Sequence, residues 1–516
     1  MKHSKKLASL LLALVMALSL AVTAFADEST TYSITINNST AGHTYEAYQI
    51  FTGDLATNEA GNKVLSNIVW GSGVSEAGQT ALGDAAAKAE TLKTEADAKA
   101  FAKAVAPYLT TAAGSANTVT DGKYVISGLA AGYYLVKDQD GSLIGDNDSY
   151  TEYIIQVVGN VTATPKSDVP EVEKKVKDTN DSTGVTSDWQ DSADYDIGDS
   201  IPFQLKATLA DNVFSYTTYK VVFHDTLSKG LTYNNDAKVY IGGTETNGFA
   251  VTATVNADGT TTLTVSCDDV KDLGAGNSSV ITVEYTAKLN ENAVLGSAGN
   301  PNEVYLEYSN NPNKSEEGNN ETGETPKDVV IVFTYKTIIN KVDSETKPLT
   351  GAAFKLEKLI KGEDGAADTW TTVKEFAVDG TTTSFTFSGL DDGQYKLTET
   401  KTPVGYNTID PIYFVIEATH GETADVPTLK TLNAYLTDAN GNKQTEMKDG
   451  ESVNIDLGTV DLTAGSITTT VVNKSGSELP STGGIGTTIF YVLGGVLVLA
   501  AVVLLVTKKR MSGAEK

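Results

Sequence analysis

Three polar side chains in the middle of the chain are predicted to point into an apolar core. Lys174, Asp225 and Asn302 each alternate with apolar residues along a predicted strand. Because residues two apart on a strand face the same side of a sheet, all three side chains face the interior. Burial lowers the pKa of a lysine amine and raises the pKa of a carboxyl group. A lysine buried in this way can be neutral, which is the form in which an amine attacks a carbonyl carbon.

No common catalytic signature accompanies these residues. The chain contains no GxSxG, HExxH, P-loop or paired CxxC motif, and each of those chemistries requires its own spacing. The single cysteine, Cys267, excludes an intrachain disulfide, and beside a strand it is expected to be packed rather than reactive. We therefore expect neither an enzyme nor a cofactor. No hydrolytic triad or metal site is predicted because the four histidines are scattered: His3, His43, His224 and His420.

Both ends of the chain carry targeting signals. Residues 1–26 combine lysines, an apolar stretch and a small-x-small end, Ala24-Phe25-Ala26, as in a cleaved secretory signal peptide. An apolar run over about 485–506 is long enough for a membrane-crossing helix, and the basic residues 508–510 favour the cytoplasmic side. The net charge of -27 argues against nucleic acid as a partner. The sequence thus predicts a secreted protein that is held at the cell surface.

The residues between these ends are predicted to form β-sandwiches. Short alternating strands are separated by Gly, Asn and Asp turns. One stretch, 85–106, is rich in Ala, Lys and Glu and predicts a helix. We therefore predict a mostly β fold of tandem immunoglobulin-like sandwiches, with one helix inserted in the N-terminal domain. The predicted boundaries are a signal peptide at 1–26, domains at 27–166, 167–335 and 336–474, and a C-terminal signal at 475–516.

A pentapeptide precedes the apolar run near the C-terminus. Leu479-Pro480-Ser481-Thr482-Gly483, the apolar run and the basic tail follow one another in an order that resembles the LPXTG cell-wall sorting signal of Gram-positive surface proteins. In that family a sortase cysteine cuts between the threonine and the glycine and hands the threonine carbonyl to an amine. The resemblance implies cleavage after Thr482 and attachment to the cell wall.

The third predicted domain carries motifs of a second family. The segment 395–406 resembles the E-box of Gram-positive pilins, and the segment 340–354 resembles the opening of a CnaB-type domain. In this family a lysine on the first strand and an asparagine on the last strand form an intramolecular isopeptide bond, assisted by the E-box acid. The resemblance assigns these roles to Lys341, Asn473 and Glu399.

The middle domain resembles a CnaA-like, fimbrial D2-type domain that carries the same kind of crosslink. The segment 170–176, PEVEKKV, opens it. The resemblance assigns the crosslink to Lys174 and Asn302 and the assisting role to Asp225. Lys175 remains the reserve nucleophile.

The first domain departs from this pattern. Asp138 occupies the place equivalent to Glu399, but no lysine lies on the early strands of the domain. We therefore predict a CnaB-like sandwich without an isopeptide bond.

The junction between the first two domains offers an amine for polymerisation. Backbone pilins carry a motif ending in Tyr-Pro-Lys there, and that lysine attacks the sortase acyl intermediate. Here Pro165 and Lys166 match the motif, whereas Thr164 replaces the tyrosine. The resemblance implies that Thr482 of one subunit is joined to Lys166 of the next.

The chain as a whole resembles the major, backbone subunit of a sortase-assembled Gram-positive pilus of the SpaA type. The implied partners are a class C sortase, a housekeeping sortase, other pilin subunits, peptidoglycan and a host or surface ligand. The alternative is a wall-anchored adhesin, or an ancillary pilin at the tip or base, which would not use Lys166. A large additional binding domain would favour that alternative, and none is evident in the sequence.

Overall fold

The structure, a computed structural model, is built from three domains in series. It describes residues 31–57, 63–143, 147–151, 154–157, 160–165, 167–316, 318, 320–448 and 451–476. Strands dominate each domain, and their apolar residues form separate buried clusters within the domains. The predicted mostly β fold of tandem sandwiches is confirmed.

The first domain consists of two sheets and a helical insertion. Its elements are β1 (Tyr32–Ile36), β2 (Tyr45–Thr57), β3 (Lys63–Trp70), α1 (Glu76–Leu82), α2 (Ala85–Glu90), α3 (Glu95–Val105), a 3-10 helix (Ala106–Tyr108), β4 (Gly114–Ala116), β5 (Tyr124–Leu129), β6 (Tyr133–Asp138), β7 (Ile154–Val157) and β8 (Val161–Ala163). The order β5-β1-β8 forms one sheet, and β3-β2-β6-β7 with β4 on β2 forms the other. Apolar side chains of β1, β2, β5 and β6 pack together between the sheets.

The helical insertion is divided more finely than the sequence predicts. The expected single helix over 85–106 is present as α2 and α3, and α1 precedes them. The break follows from capping: Thr94 accepts a hydrogen bond from the Asp97 amide, and the Asp97 carboxylate accepts one from the Thr94 amide. This capping box starts a new helix in the middle of the Ala-rich stretch.

The middle domain has two larger sheets. Its strands are β9 (Glu171–Val176), β10 (Thr179–Asn180), β11 (Val185–Thr186), β12 (Ser192–Asp194), β13 (Ser200–Thr208), β14 (Val221–Leu227), β15 (Leu231–Tyr233), β16 (Lys238–Ile241), β17 (Thr244–Thr246), β18 (Ala250–Val255), β19 (Thr261–Cys267), β20 (Val280–Leu289), β21 (Asn300–Ser309), β22 (Thr322–Glu324) and β23 (Asp328–Phe333). Short 3-10 helices lie at Val213–Ser215, Val270–Leu273 and Gly296–Ala298.

The two sheets of the middle domain enclose one apolar core. One sheet has the order β17-β16-β20-β13-β9 with β15 on β20, and the other has the order β12-β23-β21-β14-β19-β18 with β22 on β21. Strands from both sheets contribute to the same buried cluster. The first strand, β9, therefore lies in a different sheet from β14 and β21.

The third domain is a sandwich whose first and last strands are neighbours. Its elements are β24 (Tyr335–Val342), β25 (Ala353–Ile360), a 3-10 helix (Glu363–Gly365), β26 (Thr369–Glu375), β27 (Ser384–Leu390), β28 (Gly393–Lys401), β29 (Ile412–His420), β30 (Leu429–Thr437), β31 (Thr445–Lys448), β32 (Glu451–Asn454), β33 (Thr459–Asp461) and β34 (Ser466–Val472). The sheets are β27-β24-β34-β33 and β26-β25-β28-β29-β30, and β31 and β32 form a hairpin. β24 and β34 pair in parallel.

The middle and third domains meet with almost no connecting chain. Strand β23 ends at Phe333 and β24 begins at Tyr335, so Thr334 alone lies between them. Thr334 is fully buried, and its hydroxyl donates to the carbonyl of Leu390 at 3.1 Å. Phe333 packs into the apolar core of the third domain.

Candidate functional site

The middle domain holds a buried lysine against a carboxyl group. Lys174 lies on β9 and is fully buried. Its Nζ donates to Oδ1 of Asp225 at 2.5 Å and to the hydroxyl of Tyr285 at 3.1 Å. Since β9 and β14 belong to different sheets, this contact crosses the interior of the sandwich.

Asn302 completes this buried group from the adjacent strand. It lies on β21, which pairs with β14, and its side chain is fully buried. Its Nδ2 donates to the hydroxyl of Tyr285 at 2.8 Å. The Tyr285 hydroxyl in turn donates to Oδ2 of Asp225. The structure thus brings Lys174, Asp225 and Asn302 around one tyrosine hydroxyl.

Burial makes the uncharged forms of these groups accessible. It lowers the pKa of Lys174, although the negative charge of Asp225 opposes the shift. It also raises the pKa of Asp225, against the opposing effect of Lys174. The rings of Phe203 and Tyr285, each 5.5 Å from the Lys174 Nζ, keep water away from the pair. Burial therefore favours an amine and a carboxylic acid over an ion pair.

The side chain of the neighbouring Lys175 points away from Asp225 and toward Asp191. Its Nζ donates to Oδ1 of Asp191, and its side chain is partly exposed. Burial lowers its pKa, but the hydrogen bond and charge of Asp191 have the larger combined effect and raise it. Lys175 is therefore held in its charged form, away from Asp225 and Asn302.

The third domain buries a second lysine beside the end of its last strand. Lys341 lies on β24 and is fully buried. Its Nζ donates to the backbone carbonyls of Val342 at 3.1 Å and Val471 at 2.9 Å. Burial lowers its pKa, and the charge of Glu399 acts in the opposite direction.

Asn473 lies directly after β34 and contacts the predicted acid. Its Nδ2 donates to Oε2 of Glu399 at 3.1 Å and to the carbonyl of Asn407 at 2.5 Å. Its backbone amide donates to the Val342 carbonyl, which also accepts from Lys341. Among the described residues, Oδ1 of Asn473 and Oε1 of Glu399 are buried without a hydrogen-bond partner. The three predicted residues therefore converge, although Lys341 bonds to carbonyls rather than to Glu399.

The equivalent position of the first domain has a different environment. Asp138 accepts hydrogen bonds from the amide of Thr151 at 2.6 Å and from Nδ1 of His43 at 2.7 Å. Nε2 of His43 lies 3.0 Å from Asp148. Burial alone would lower the pKa of His43. The hydrogen bonds and charges of Asp138 and Asp148 outweigh this effect and raise the pKa to about 9. A histidine, not a lysine, faces the acid here, and the absence of an isopeptide bond from this domain stays a prediction.

The residues proposed for polymerisation fall outside the described part of the chain. Lys166, the pentapeptide Leu479–Gly483 and the predicted signal peptide and apolar run all belong to the undescribed segments. Within the part that the structure describes, no helix has the length and apolar character needed to cross a bilayer.

Sequence reasoning missed Tyr285. Its hydroxyl makes contact with all three of the predicted middle-domain residues. The signal was present, because Tyr285 alternates with Ile281 and Val283 on β20 and therefore faces the core. A tyrosine at such a position needs a polar partner for its hydroxyl.

Three family models match the chain. Residues 336–430 match the SpaA model, a prealbumin-like fold domain. Residues 197–312 match the model of Gram-positive pilin backbone subunit 2, a Cna-B-like domain, whereas the sequence resemblance suggested a CnaA-like domain there. Residues 471–512 match the LPXTG cell wall anchor motif.

Individual relatives agree with these matches. The trypsin-resistant surface T6 protein of Streptococcus pyogenes serotype M6 is 27% identical over 448 residues, which cover 76% of this chain and 77% of that protein. The fold resembles that of the T6 backbone pilin of the same serotype, with a TM-score of 0.56, 19% identity, and coverage of 87% of this chain and 100% of that one. It also resembles the major pilin SpaD of Corynebacterium diphtheriae, with a TM-score of 0.50, 19% identity, and coverage of 87% and 99%.

The matches agree with the fold, with the central domain and with the C-terminal motif of this chain. The sandwich series has the fold of solved backbone pilins, the central domain matches a backbone-subunit model, and the C-terminus matches a wall anchor that implies processing by a sortase. The chain is thus similar to Gram-positive backbone pilins in its middle and third domains, and its C-terminus matches the LPXTG motif of proteins anchored to the cell wall.

Proposed function

We propose that this pilin forms a covalent fibre, in which Thr482 of each subunit is joined to Lys166 of the next and two domains are closed by internal Lys–Asn isopeptide bonds. The internal bonds would join Lys174 to Asn302 and Lys341 to Asn473. The observation that carries the proposal is the fully buried contact of Lys174 with an acid, next to an asparagine.

The buried groups of the middle domain have the composition that amide exchange requires. In the neutral pair, the Lys174 Nζ has a free electron pair with which to attack Cγ of Asn302. The protonated Asp225 can donate to Oδ1 of Asn302, which has no hydrogen-bond partner among the described residues. The new C–N bond forms, the Asn302 C–N bond breaks, and one proton passes through Asp225 from the amine to the departing ammonia.

Proximity of the reacting groups lowers the activation barrier of this single-turnover reaction. The reacting groups belong to one rigid interior, where effective molarities of about 10⁵ M or more are reached by well-oriented groups. Tyr285 holds Asp225, Lys174 and Asn302 through one hydroxyl, so it acts as a positioning residue. Folding is then the only activation step that the bond needs.

The third domain offers the same groups in another arrangement. Glu399 contacts the amide nitrogen of Asn473, and each has one buried oxygen without a partner. Before attack, Lys341 has to exchange its bonds to the Val342 and Val471 carbonyls for an approach to the carboxamide. We therefore infer that a side-chain rotation precedes the reaction in this domain.

The two bonds would brace their domains differently. A bond from Lys174 to Asn302 would join β9 to β21, and thus one sheet to the other across the core. A bond from Lys341 to Asn473 would join the paired first and last strands of the third domain. Both would supply a covalent restraint in a chain whose single cysteine excludes an intrachain disulfide.

Polymerisation would use the two chain segments outside the described residues. A class C sortase would transfer the Thr482 acyl group to Lys166, and a housekeeping sortase would pass the finished fibre to peptidoglycan. The contact is head-to-tail and does not close, so it propagates into a fibre. Other pilins and a host or surface ligand complete the set of proposed partners.

Intact mass and peptide mapping of the mature chain, residues 27–482, test the internal bonds. A mass two ammonias below the sequence value supports both bonds, and linked peptides should contain Lys174 with Asn302 and Lys341 with Asn473. Asp225→Asn should remove one of the two losses. A full-length mass with no loss would refute the internal bonds and leave the polymerisation proposal to be tested separately.

A further inference from the structure

The junction between the middle and third domains contains two groups of acidic residues. One group is Asp181, Asp196, Asp199 and Asp391. The ammonium of Lys358 lies among them, 2.7 Å from Asp196 and 3.0 Å from Asp181, and it also donates to Asp391. This first group therefore has its own cation.

Among the described residues, the second group contains no lysine or arginine, and its cationic partner is His420 when that imidazole is protonated, 3.4 Å from Asp178. It consists of Asp178, Asp194 and His420, whose ligand atoms all lie within 4.8 Å of one another. Asp178 and Asp194 belong to the middle domain, and His420 ends β29 of the third domain. Across the described ranges, neither carboxylate forms an ion pair with a lysine or arginine. The third domain thus contributes a nitrogen ligand to two carboxylates of its neighbour.

Asp194 is the residue of this group that most needs a partner. It is 2% exposed, and its Oδ2 is buried and accepts no hydrogen bond from the described residues. The hydroxyl of Tyr335 lies beside Asp194 and stabilises its charged form, but among the described residues it too has no hydrogen bond of normal geometry. Burial and the charges of Asp178 and Asp392 raise the pKa of Asp194. A buried carboxylate without a partner is costly, and a bound cation would remove that cost.

His420 is oriented as a metal ligand would be. Its Nδ1 lies 2.7 Å from the hydroxyl of the buried Ser192, while its Nε2 faces Asp178 at 3.4 Å. When Nδ1–H donates to Ser192, the lone pair of Nε2 points toward the two carboxylates. Metal-binding histidines are fixed in this way by a hydrogen bond to their second nitrogen.

We propose that Asp178, Asp194 and His420 bind a divalent transition metal of the zinc class between the two domains. The ligand set of two carboxylates and one imidazole suits zinc better than calcium, which takes oxygen ligands. Small side-chain rotations bring atoms within 4.8 Å of one another to the spacing of about 3.4 Å that a tetrahedral site with bonds of about 2.1 Å needs. Asp392, which is acted on by the charges of both Asp178 and His420, is a candidate for the fourth ligand.

A metal bound at this site would hold the middle and third domains together. Its ligands come from both domains, so bound metal would favour the packed arrangement over a separated one. None of its three residues belongs to either proposed isopeptide group, so the metal and the isopeptide bonds can be tested separately.

Calorimetric titration of zinc into the chelator-treated mature chain, residues 27–482, tests the site. We expect one zinc per chain. Asp194→Asn and His420→Gln should each weaken binding by about 100-fold or more, and Ser192→Ala should weaken it by about 10-fold. His224→Gln, at a histidine whose ring contacts Glu307 and Tyr305 instead, should bind zinc like the unaltered chain.

The thermal stability of Asp194→Asn, measured without zinc and with zinc, distinguishes a metal site from a structural role. Without metal, this variant should be no less heat-stable than the unaltered chain, because it removes a buried charge. With zinc, it should lose the rise in Tm that the unaltered chain gains. If Asp194→Asn does not fold, Asp178→Asn, at a less buried residue, takes its place.

Three results would overturn the proposal. They are the absence of zinc binding to the unaltered chain, unchanged zinc affinity in the Asp194 and His420 variants, and tighter binding of calcium than of zinc at this site. The ammonia losses measured on the same samples report on the isopeptide bonds separately, so failure of one proposal leaves the other testable.

Discussion

Removal of the Tyr285 hydroxyl gives the sharpest test of how the middle domain forms its proposed bond. In Tyr285→Phe the ring can stay in place, since it stacks on Phe203 with centroids 5.5 Å apart. Removal of the hydroxyl removes three hydrogen bonds. One is donated to Asp225, and two are accepted from Lys174 and Asn302. The variant therefore keeps the packing of the core and loses the positioning of the reacting groups.

The expected effect is on the rate of bond formation more than on the fold. A buried donor left without a partner costs about 1–3 kcal/mol, and this is the penalty we expect at the Asn302 amide before the bond forms. A displacement of about 1 Å can slow a reaction between held groups by about 10²-fold. We therefore expect ammonia loss from the middle domain to be slower by about that factor in Tyr285→Phe.

Mass spectrometry of freshly purified protein measures this rate. Samples taken after a short induction and incubated for increasing times should show a middle-domain loss that grows in Tyr285→Phe and is already complete in the unaltered chain. The third domain provides an internal control, since its own loss should be complete in both proteins.

Tyr233→Phe is the matched control. Its ring packs against Tyr285 with centroids 5.7 Å apart, but its hydroxyl accepts from the amide of Ala237 outside the reacting group. Complete middle-domain loss at the earliest time in Tyr285→Phe would refute the positioning role. An equal delay in Tyr233→Phe would attribute the effect to packing.

Three further predictions follow from the same structure. Lys174→Ala should abolish the middle-domain ammonia loss and destabilise the domain by about 2–5 kcal/mol, because the buried aliphatic stem and the covalent restraint are both lost, whereas Lys175→Ala should keep the loss; intact mass and thermal unfolding decide. His43 is raised in pKa from 6.5 to about 9 in the folded state, so its contribution is complete below pH 6.5 and disappears as the pH approaches 9; the unfolding free energy of the first domain should fall by about 3 kcal/mol over this interval, and His43→Gln should flatten the fall in denaturant titrations. Lys166→Ala should remove the high-mass ladder of polymers from denaturing gels of cell-wall extracts, and Lys206→Ala, at an exposed lysine, should leave it; a persistent ladder would assign the linkage to another amine.

Strand alternation explains why much of the middle-domain site could be predicted. A strand has only two faces, so the parity of Lys174 and Asp225 with apolar neighbours fixes their direction once the strands form. By the same parity Lys175 faces the opposite side of its strand, and the structure places it there, partly exposed against Asp191. Tyr285 follows the same alternation, with Ile281 and Val283 as its apolar neighbours, so its inward direction is equally predictable.

Other features depend on partners that alternation does not reveal. Burial of Lys341 is predictable, but its choice of backbone carbonyls depends on the parallel pairing of β24 and β34. The junction site lies beyond sequence reasoning for a similar reason. Asp194 and His420 are distant in the chain and meet only because two domains pack together.

The single buried residue between β23 and β24 has a consequence for the mechanics of a long fibre. Thr334 is buried and Phe333 packs in the core of the third domain, so the connection between the two domains can neither lengthen nor rotate freely. The middle and third domains should therefore tumble as one rod. Thermal bending along the shaft would be concentrated at the remaining joints, so each subunit contributes a long stiff segment to the contour of the pilus.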